Sequence, residues 1–562
     1  MGLPWRVISG TSLVCSYLAT SRESDWAVLL FVAKFAAAWI AQFFLWAVWA
    51  VLLWPKLFSP LRGLPEPSNN SFLMGQYDRI ASEPTGSPML DWINTIPNDG
   101  IIRYLSLLNQ ERILLTSPKA LAEVLVTRNY DFPKPEQMRY SIGRILGVGV
   151  LLAEGDEHKM QRRHLMPAFA FRHVKDLYPV FWGKSRECVQ AMTDSVLRDS
   201  TKEPQYQDAA AVDNEKAGEK LPSGTAVLEV GSWASRVTLD IIGVAGLGRD
   251  FGAIKDPDNE LTQTYARIFR PSRQSQILAL LAQFIPGWIV NLLPVKRNED
   301  IGHAVKVIRA TCRDLIQQKR VKLANKEPAD PDILSVAIES GGFSDENLVD
   351  QLMTFLAAGH ETTASAMTWA IYLLCTHPEA QARLRAEVRE RLPSPADAAA
   401  SVSSVDVDHM PYLNAVCSEV LRYYSPVPMT LRVAGRDTTI LGHKVPKGTR
   451  VMLTPWAVNK SQDMWGADAL RFDPERWLGG GGSGGASSNY AFLTFLHGPR
   501  GCIGSGFAKA EFACLLAAWV GRFEFALNDP EQADERKLDI RSGVTAHPRK
   551  GLYVKAKVVE GW

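Results

Sequence analysis

At 562 residues the chain can bury a large core, and length alone suggests about two to four domains. Its 62 basic and 60 acidic residues nearly cancel, and no block of five or six like charges occurs, which argues against nucleic acid as a partner. The seven cysteines are odd in number and form no CxxC pair, so a disulfide framework is disfavoured and reduced thiols in an intracellular compartment are expected.

The first 34 residues form an amino-terminal segment. From Phe35 to Trp54 no charge interrupts an apolar run of 20 residues, enough to cross about 30 Å of hydrocarbon as a helix. A cleaved secretory signal has a shorter apolar region and a small-residue cleavage site, so residues 35–54 read as an uncleaved transmembrane anchor with Trp46, Trp49 and Trp54 as interface residues. Orientation is not decided by the positive-inside rule, because Arg6, Arg22 and Lys34 precede the run while Lys56 and Arg62 follow it. The pattern leaves open whether residues 7–19 form a second, weaker span. Residues 55–68, with Pro55, Pro60, Pro65 and Pro67, read as a stiff extended spacer that cannot continue the helix.

Residues 69–562 read as one large body. Short alternating stretches around 101–116 predict strands, Arg112-Ile113-Leu114-Leu115 being the clearest, and from about 118 onward the apolar spacing is mainly helical. Residues 198–224 read as a polar surface loop and 479–488 as a flexible glycine-rich insert. Residues 277–295, with Trp288 between Pro286 and Pro294, fit either a core helix with a turn or a segment at the bilayer interface.

The chemistry concentrates in three places. The first is Phe495-Leu496-His497-Gly498-Pro499-Arg500-Gly501-Cys502-Ile503-Gly504, where glycines allow close backbone approach around one thiol and an apolar helix follows. A lone cysteine is usually a small core hydrophobe, but Phe495, Gly498, Arg500, Cys502 and Gly504 together match F-x-x-G-x-R-x-C-x-G. On this run the chain resembles the cytochrome P-450 superfamily of haem-thiolate monooxygenases. The resemblance implies that Cys502 is the proximal ligand of haem iron, where a thiolate favours O–O cleavage. Phe495 would then pack beside the sulfur and Arg500 pair with an acidic cofactor substituent. Leu496 departs from the pattern, a small or polar residue being commoner there, and His497 is taken as structural.

The second place is Ala358-Gly359-His360-Glu361-Thr362-Thr363, within a helical run from about Leu348 to Leu374. Ser344 is its expected N-cap and His377-Pro378 its stop. Gly359 inside a long helix costs about 1 kcal/mol relative to Ala, which suggests close approach to the backbone. An acid beside a hydroxyl offers a proton source and a relay. The stretch is similar to the family's distal-helix signature, which implies that Glu361 and Thr362 deliver protons during dioxygen cleavage while Ala358 and Gly359 leave room over the haem. Ala364 breaks the H-e-x-x-H zinc motif that His360-Glu361 begins.

The third place is Glu419-Val420-Leu421-Arg422, whose i,i+3 pair shares one helix face. It resembles the family's E-x-x-R, completed by Arg476 with Trp477 in place of the commoner Phe, a structural triad. The resemblance adds Arg162 and His158, in a W-x-x-x-R-like stretch with His158 replacing Trp, and Arg432 as candidates for the haem propionates.

The resemblance thus implies a mainly α fold with a smaller β part and an N-terminal transmembrane helix, single-pass in the endoplasmic reticulum membrane with the body facing the cytosol. The implied cofactor is haem b. Gly246-Leu247-Gly248 and Gly504-Ser505-Gly506 lack G-x-G-x-x-G spacing, so no flavin or nicotinamide domain is fused. Electrons from NADPH would arrive through a separate cytochrome P-450 reductase, with cytochrome b5 as a candidate second donor. By overall style the chain resembles fungal microsomal members, many of which tailor terpenoids, polyketides or alkaloids. Fatty acid or sterol hydroxylation, a haem-thiolate isomerase or dehydratase that does not use dioxygen, and a non-catalytic haem sensor are the rival readings.

Overall fold

The computed structural model describes residues 4–20, 27–199, 221–258, 263–264, 274, 277–278, 281, 285, 287–325, 332–479, 482–542 and 544–562. Its centre is the helix Asp345–Thr376, 32 residues long. The Ser344 hydroxyl accepts from the Asn347 N–H at 3.3 Å, acidic residues occupy the first turn, and the helix stops at His377 ahead of Pro378. Most of its side chains are buried because it is covered by Val230–Ile241, Lys296–Ala324 and Ser505–Arg522. Near its end Trp369 stacks on Tyr424 at 4.0 Å and donates to the Ala546 carbonyl at 2.8 Å, so the indole is both packed and satisfied.

The β part is small, as expected. Strands Ile101–Leu105 and Glu111–Leu115 pair antiparallel, the second pairs in parallel with Arg450–Leu453, and Thr430–Val433 closes the four-stranded sheet. Burial on both faces explains the near-continuous apolar character of these strands. A three-stranded antiparallel sheet joins Thr225–Glu229, Tyr553–Val558 and Phe523–Leu527, tying the carboxy-terminal segment back to the helical core.

The amino-terminal region differs from the pattern-based expectation. The helix Ala27–Val48 contains Lys34 and does not end at Trp54; it continues in π-helical form through Trp49–Phe58 and takes in Pro55. The Ser59 N–H donates to the Trp54 carbonyl, five residues back, at 2.9 Å. That wider turn accommodates a proline that an α-helical turn would reject, since the missing N–H and the ring clash both concern the carbonyl four residues back. Nor does the helix end hang on a free spacer. The buried Arg103 side chain reaches the Pro55 carbonyl at 2.5 Å and Glu66 at 2.5 Å, and Asn109 donates to the Val51 carbonyl at 3.0 Å. Ahead of it, residues 7–19 lie in a helix, Trp5–Ala19, packed on Ala27–Val48.

The glycine-rich stretch near 479–488 is not merely a loose insert. A side chain at Gly484 would press on the Trp477 ring, and the Ser487 N–H donates to the Met464 carbonyl at 2.9 Å. Most of the 198–224 loop and the Trp288 side chain lie outside the described residues. Gly287–Leu292 is helical and lies beside the helix Glu136–Leu146: Asn291 donates to the Tyr140 hydroxyl at 3.3 Å.

Candidate active site

Two backbone hydrogen bonds shape the cysteine loop. The Cys502 N–H donates to the Phe495 carbonyl at 2.8 Å and Gly501 to Gly498 at 3.0 Å. Gly498 has φ 74°, and a side chain there would run into the Leu125 carbonyl, so both conformation and space require glycine. Leu496, where the sequence departs from the family pattern, sits at φ 55°, an uncommon conformation for a branched side chain. His497 accepts no ligand role here; it contacts the Phe492 carbonyl at 3.2 Å and packs on Tyr490. The Phe495 ring is half-buried with the Lys509 ammonium 5.5 Å from its centre. Cys502 is solvent-accessible yet lies deep within the protein, so its thiol faces an interior space rather than the outer surface. Burial pushes the thiol up, while the Gly504 N–H and the Arg162 charge pull it back toward thiolate.

The distal helix shows a break in its burial at the residues singled out above. Ala357 and Thr363 are buried, whereas Ala358 is exposed and Gly359, Glu361 and Thr362 are partly so. Phe169 spans the two walls: its ring lies 5.5 Å from that of Phe355, and a side chain at Gly504 would lie 3.7 Å from it. Gly359 corrects one expectation. Its missing side chain makes room for Ile242 on the crossing helix, where an added Cβ would come within 2.9 Å, so the close approach there is helix packing, while Ala358 is the most exposed residue of the stretch. The Thr362 hydroxyl donates to the Ala358 carbonyl at 2.8 Å. Glu361 accepts from the Thr545 hydroxyl at 2.7 Å, not from Thr362, and burial raises its carboxyl. One residue on, Thr363 donates to Glu511 at 2.8 Å. Burial raises the Glu511 carboxyl well above its ordinary value, and its second oxygen is buried with no hydrogen-bond partner.

At the third side lies a cluster of cations. Arg432 is buried on its strand, with one nitrogen 2.8 Å from the Leu431 carbonyl. Burial, aided by the Arg500 charge, lowers it to about 10. Lys134 is lowered to about 7 by burial and by Arg432, and His158 to about 4 by burial and by Lys134, Arg162 and Arg500. Glu154 is the carboxylate among them, 2.6 Å from Arg500 and 4.0 Å from Lys134. Two nitrogens of Arg500 are engaged by Glu154 and by the Asn129 and Phe132 carbonyls, leaving a buried Nε without a partner. Arg162 donates to the Gly501 carbonyl at 2.7 Å, and His158 contacts the Tyr130 hydroxyl at 3.2 Å. Buried cations in excess of their anions suit a group that brings its own carboxylates. The two propionates of haem b, with a thiol on the adjoining loop, fit this donor set.

The structural triad is closed. Arg422 makes two 2.7 Å hydrogen bonds to Glu419 and fills its remaining donors with the carbonyls of Asn459, Ala469 and Arg471. Arg476 reaches Glu419 at 3.3 Å and Asp468 at 2.9 Å. Trp477 donates to Glu419 at 2.9 Å, a bond that the commoner phenylalanine could not make.

Sequence reasoning therefore brought Arg162, His158, Arg432 and Arg500 to one place and gave no individual role to Lys134, Glu154, Thr545 and Glu511. Two signals were available. Lys134 is held between Pro133 and Pro135, and Glu511 is a lone acid inside the apolar run from Phe507 to Val520.

A family model described as cytochrome P450 matches residues 98–554. The chain is 46% identical to cytochrome P450 monooxygenase ALT8 of Alternaria alternata, covering 92% of this chain and 93% of that protein. It is also 46% identical to cytochrome P450 monooxygenase sphH of Aspergillus fumigatus (92% and 91% covered) and 43% identical to cytochrome P450 monooxygenase FUM15 of Gibberella moniliformis (91% of each).

Proposed function

Because the chain belongs to the cytochrome P450 family of monooxygenases, we propose that it is a membrane-anchored haem-thiolate enzyme acting on a lipophilic small molecule. One atom of dioxygen enters a C–H bond of that substrate and the other leaves as water. The observation that carries the reading is a deep-lying thiol, Cys502, across from the opening at Ala358–Thr362, with surplus buried cations beside it.

In this reading Cys502 holds the iron of haem b, and Lys134, His158, Arg162, Arg432 and Nε of Arg500 hold its propionates. When bound, haem supplies the iron chemistry that activates dioxygen. Thr545 donates to Glu361 Oε1, and burial raises the carboxyl, which favours a proton on the remaining Oε2. Thr362 commits its own hydrogen to the Ala358 carbonyl and presents its oxygen lone pairs as an acceptor. Phe169 and Phe355 give the opening an apolar wall, which favours a lipophilic substrate and keeps water from it. The apolar helix Val28–Phe58 supports a membrane anchor, and the endoplasmic reticulum membrane, with the body on its cytosolic face, is the compartment of this reading. Electrons come from an NADPH-dependent reductase, with cytochrome b5 as a second donor. Fungal monooxygenases among the relatives support a secondary metabolite, such as a terpenoid, polyketide or alkaloid, as substrate class.

Cys502→Ala tests the reading. The reduced, carbon monoxide-treated microsomes should lose the haem-thiolate difference band, and a retained band would remove Cys502 as ligand. NADPH consumption measured against oxygen uptake and product separates a monooxygenase from its rivals, since turnover without oxygen would indicate an isomerase or dehydratase.

A further inference from the structure

The two amino-terminal helices are polar between themselves and apolar outside. Ser12 and Ser16 are buried where Trp5–Ala19 meets Ala27–Val48, while Trp5, Val7, Leu13, Val14, Tyr17 and Leu18 of the first helix are exposed. On the second helix Val28, Leu29, Ile40, Phe43, Phe44 and Leu45 are exposed likewise. Hydrogen bonds fill the seam: Thr11 donates to Gln42 at 2.5 Å, Gln42 to Ser12 at 3.1 Å and the Trp39 indole to Ser9 at 3.2 Å. A pair of helices in water would be built the other way round. Small and hydroxyl residues at the contact with apolar residues all around it are what helix association in lipid requires.

The register is antiparallel. Lys34 donates to the Ala19 carbonyl at the end of the first helix, and Gln42 meets Thr11 and Ser12. Lys34 thus satisfies one helix-end carbonyl, that of Ala19, and the Thr20 hydroxyl satisfies that of Ser16. The same register carries Trp5 and Arg6 to about the level of Trp49, on the side where Trp54, Lys56 and the body follow. Fifteen residues rise about 22 Å, which falls short of about 30 Å of hydrocarbon by an amount that local thinning and flanking polar residues accommodate.

Charge supplies an independent argument. In a single crossing, Arg6, Arg22 and Lys34 stand on one side against Lys56 and Arg62 on the other, and nothing is selected. If both helices cross, Arg6, Lys56 and Arg62 share the side of the body, and opposite them are Arg22, in a connection that also holds Glu23 and Asp25, and Lys34, which is tied to the Ala19 carbonyl. That balance has the sign the positive-inside rule requires.

Resting on the membrane-anchored reading above, we propose that Trp5–Ala19 and Ala27–Phe58 form a hairpin that crosses the bilayer twice. The amino terminus then emerges on the cytosolic side with the catalytic body, and only the connection at residues 20–26 faces the lumen.

The test uses the full chain in microsomes, with a glycosylation acceptor Asn-Ser-Thr in a Gly-Ser stretch placed either before Met1 or between Ser24 and Asp25, and the unaltered chain as baseline. Modification in the connection but not at the amino terminus is the expected result. Modification at both would overturn the hairpin and leave a single-pass anchor standing. An unmodified connection would overturn the membrane-crossing anchor itself and the hairpin with it.

Discussion

Around Glu419 every buried charge has a partner supplied by the chain, whereas around Arg432 cations outnumber the carboxylates the chain provides. Glu419 and Arg422 are fully buried, and the guanidinium finds five acceptors among one carboxylate and three carbonyls. Lys134, Arg162, Arg432 and Arg500, with His158 held neutral, have Glu154 as their carboxylate, and burial with mutual repulsion depresses Lys134 and Arg432. The difference separates a cluster that completes the fold from one that completes a binding site. A buried ion group finished by the protein is silent toward ligands, and an unfinished one is a specification for the missing charge.

The comparison breaks most visibly at Arg422. Arg422→Ala leaves Glu419 with fewer partners and strands three carbonyls, a loss of about 3–5 kcal/mol for a broken buried pair. Thermal unfolding of the purified enzyme should show a collapsed midpoint or no folded protein. A wild-type midpoint would mean that the closed cluster contributes little to stability.

Lys134→Met should have opposite effects on the two forms of the enzyme. In the haem-free protein Lys134 has its folded pKa near 7, below an unfolded value near 10.5, so the folded state binds fewer protons between those values. Stability of the haem-free form therefore rises with pH across that window, and the penalty of charging Lys134 is fully present below pH 7. Methionine removes the penalty, flattening the slope and raising the haem-free midpoint at acid pH. In the loaded enzyme the same change removes one charge-assisted contact to a propionate, worth about 1.5–3 kcal/mol, and haem transfer to apomyoglobin should quicken about tenfold or more. Unchanged slope and unchanged transfer would show that Lys134 faces no carboxylate of the cofactor.

Which parts of this were legible in the sequence follows from how locally each is encoded. The helical body, the small sheet at 101–116 and the N-cap at Ser344 rest on periodicity and nearest-neighbour chemistry, and the structure has them. The thiol loop and the Glu361-Thr362 pair were visible because each is a contiguous run. Lys134, Glu154 and Thr545 join the site across large sequence separations, and of the three only Lys134, set between two prolines, carries a local mark. Gly359 announced a close approach but not its direction, since helix spacing does not say which face Ile242 will cross. Pro55 read as a helix stop because a proline ends an α-helix; the π-form turn that admits it depends on the Arg103 and Asn109 contacts at the helix end, which come from the body.

The finest probe of the closed cluster is Trp477, where the chain departs from the commoner phenylalanine. Its indole donates to Glu419 at 2.9 Å and packs against Phe492 and Trp465. Trp477→Phe keeps an aromatic ring in that place but removes one of the donors to a buried carboxylate. The N–H is worth about 1–2 kcal/mol, less than the Arg422 loss because Glu419 keeps Arg422, Arg476 and the Asp473 N–H. Unfolding should move by a small amount, with haem retention and the carbon monoxide band unchanged, since the triad touches no proposed propionate contact. A shift in haem retention as large as that of Lys134→Met would tie the two clusters together and end the distinction between them.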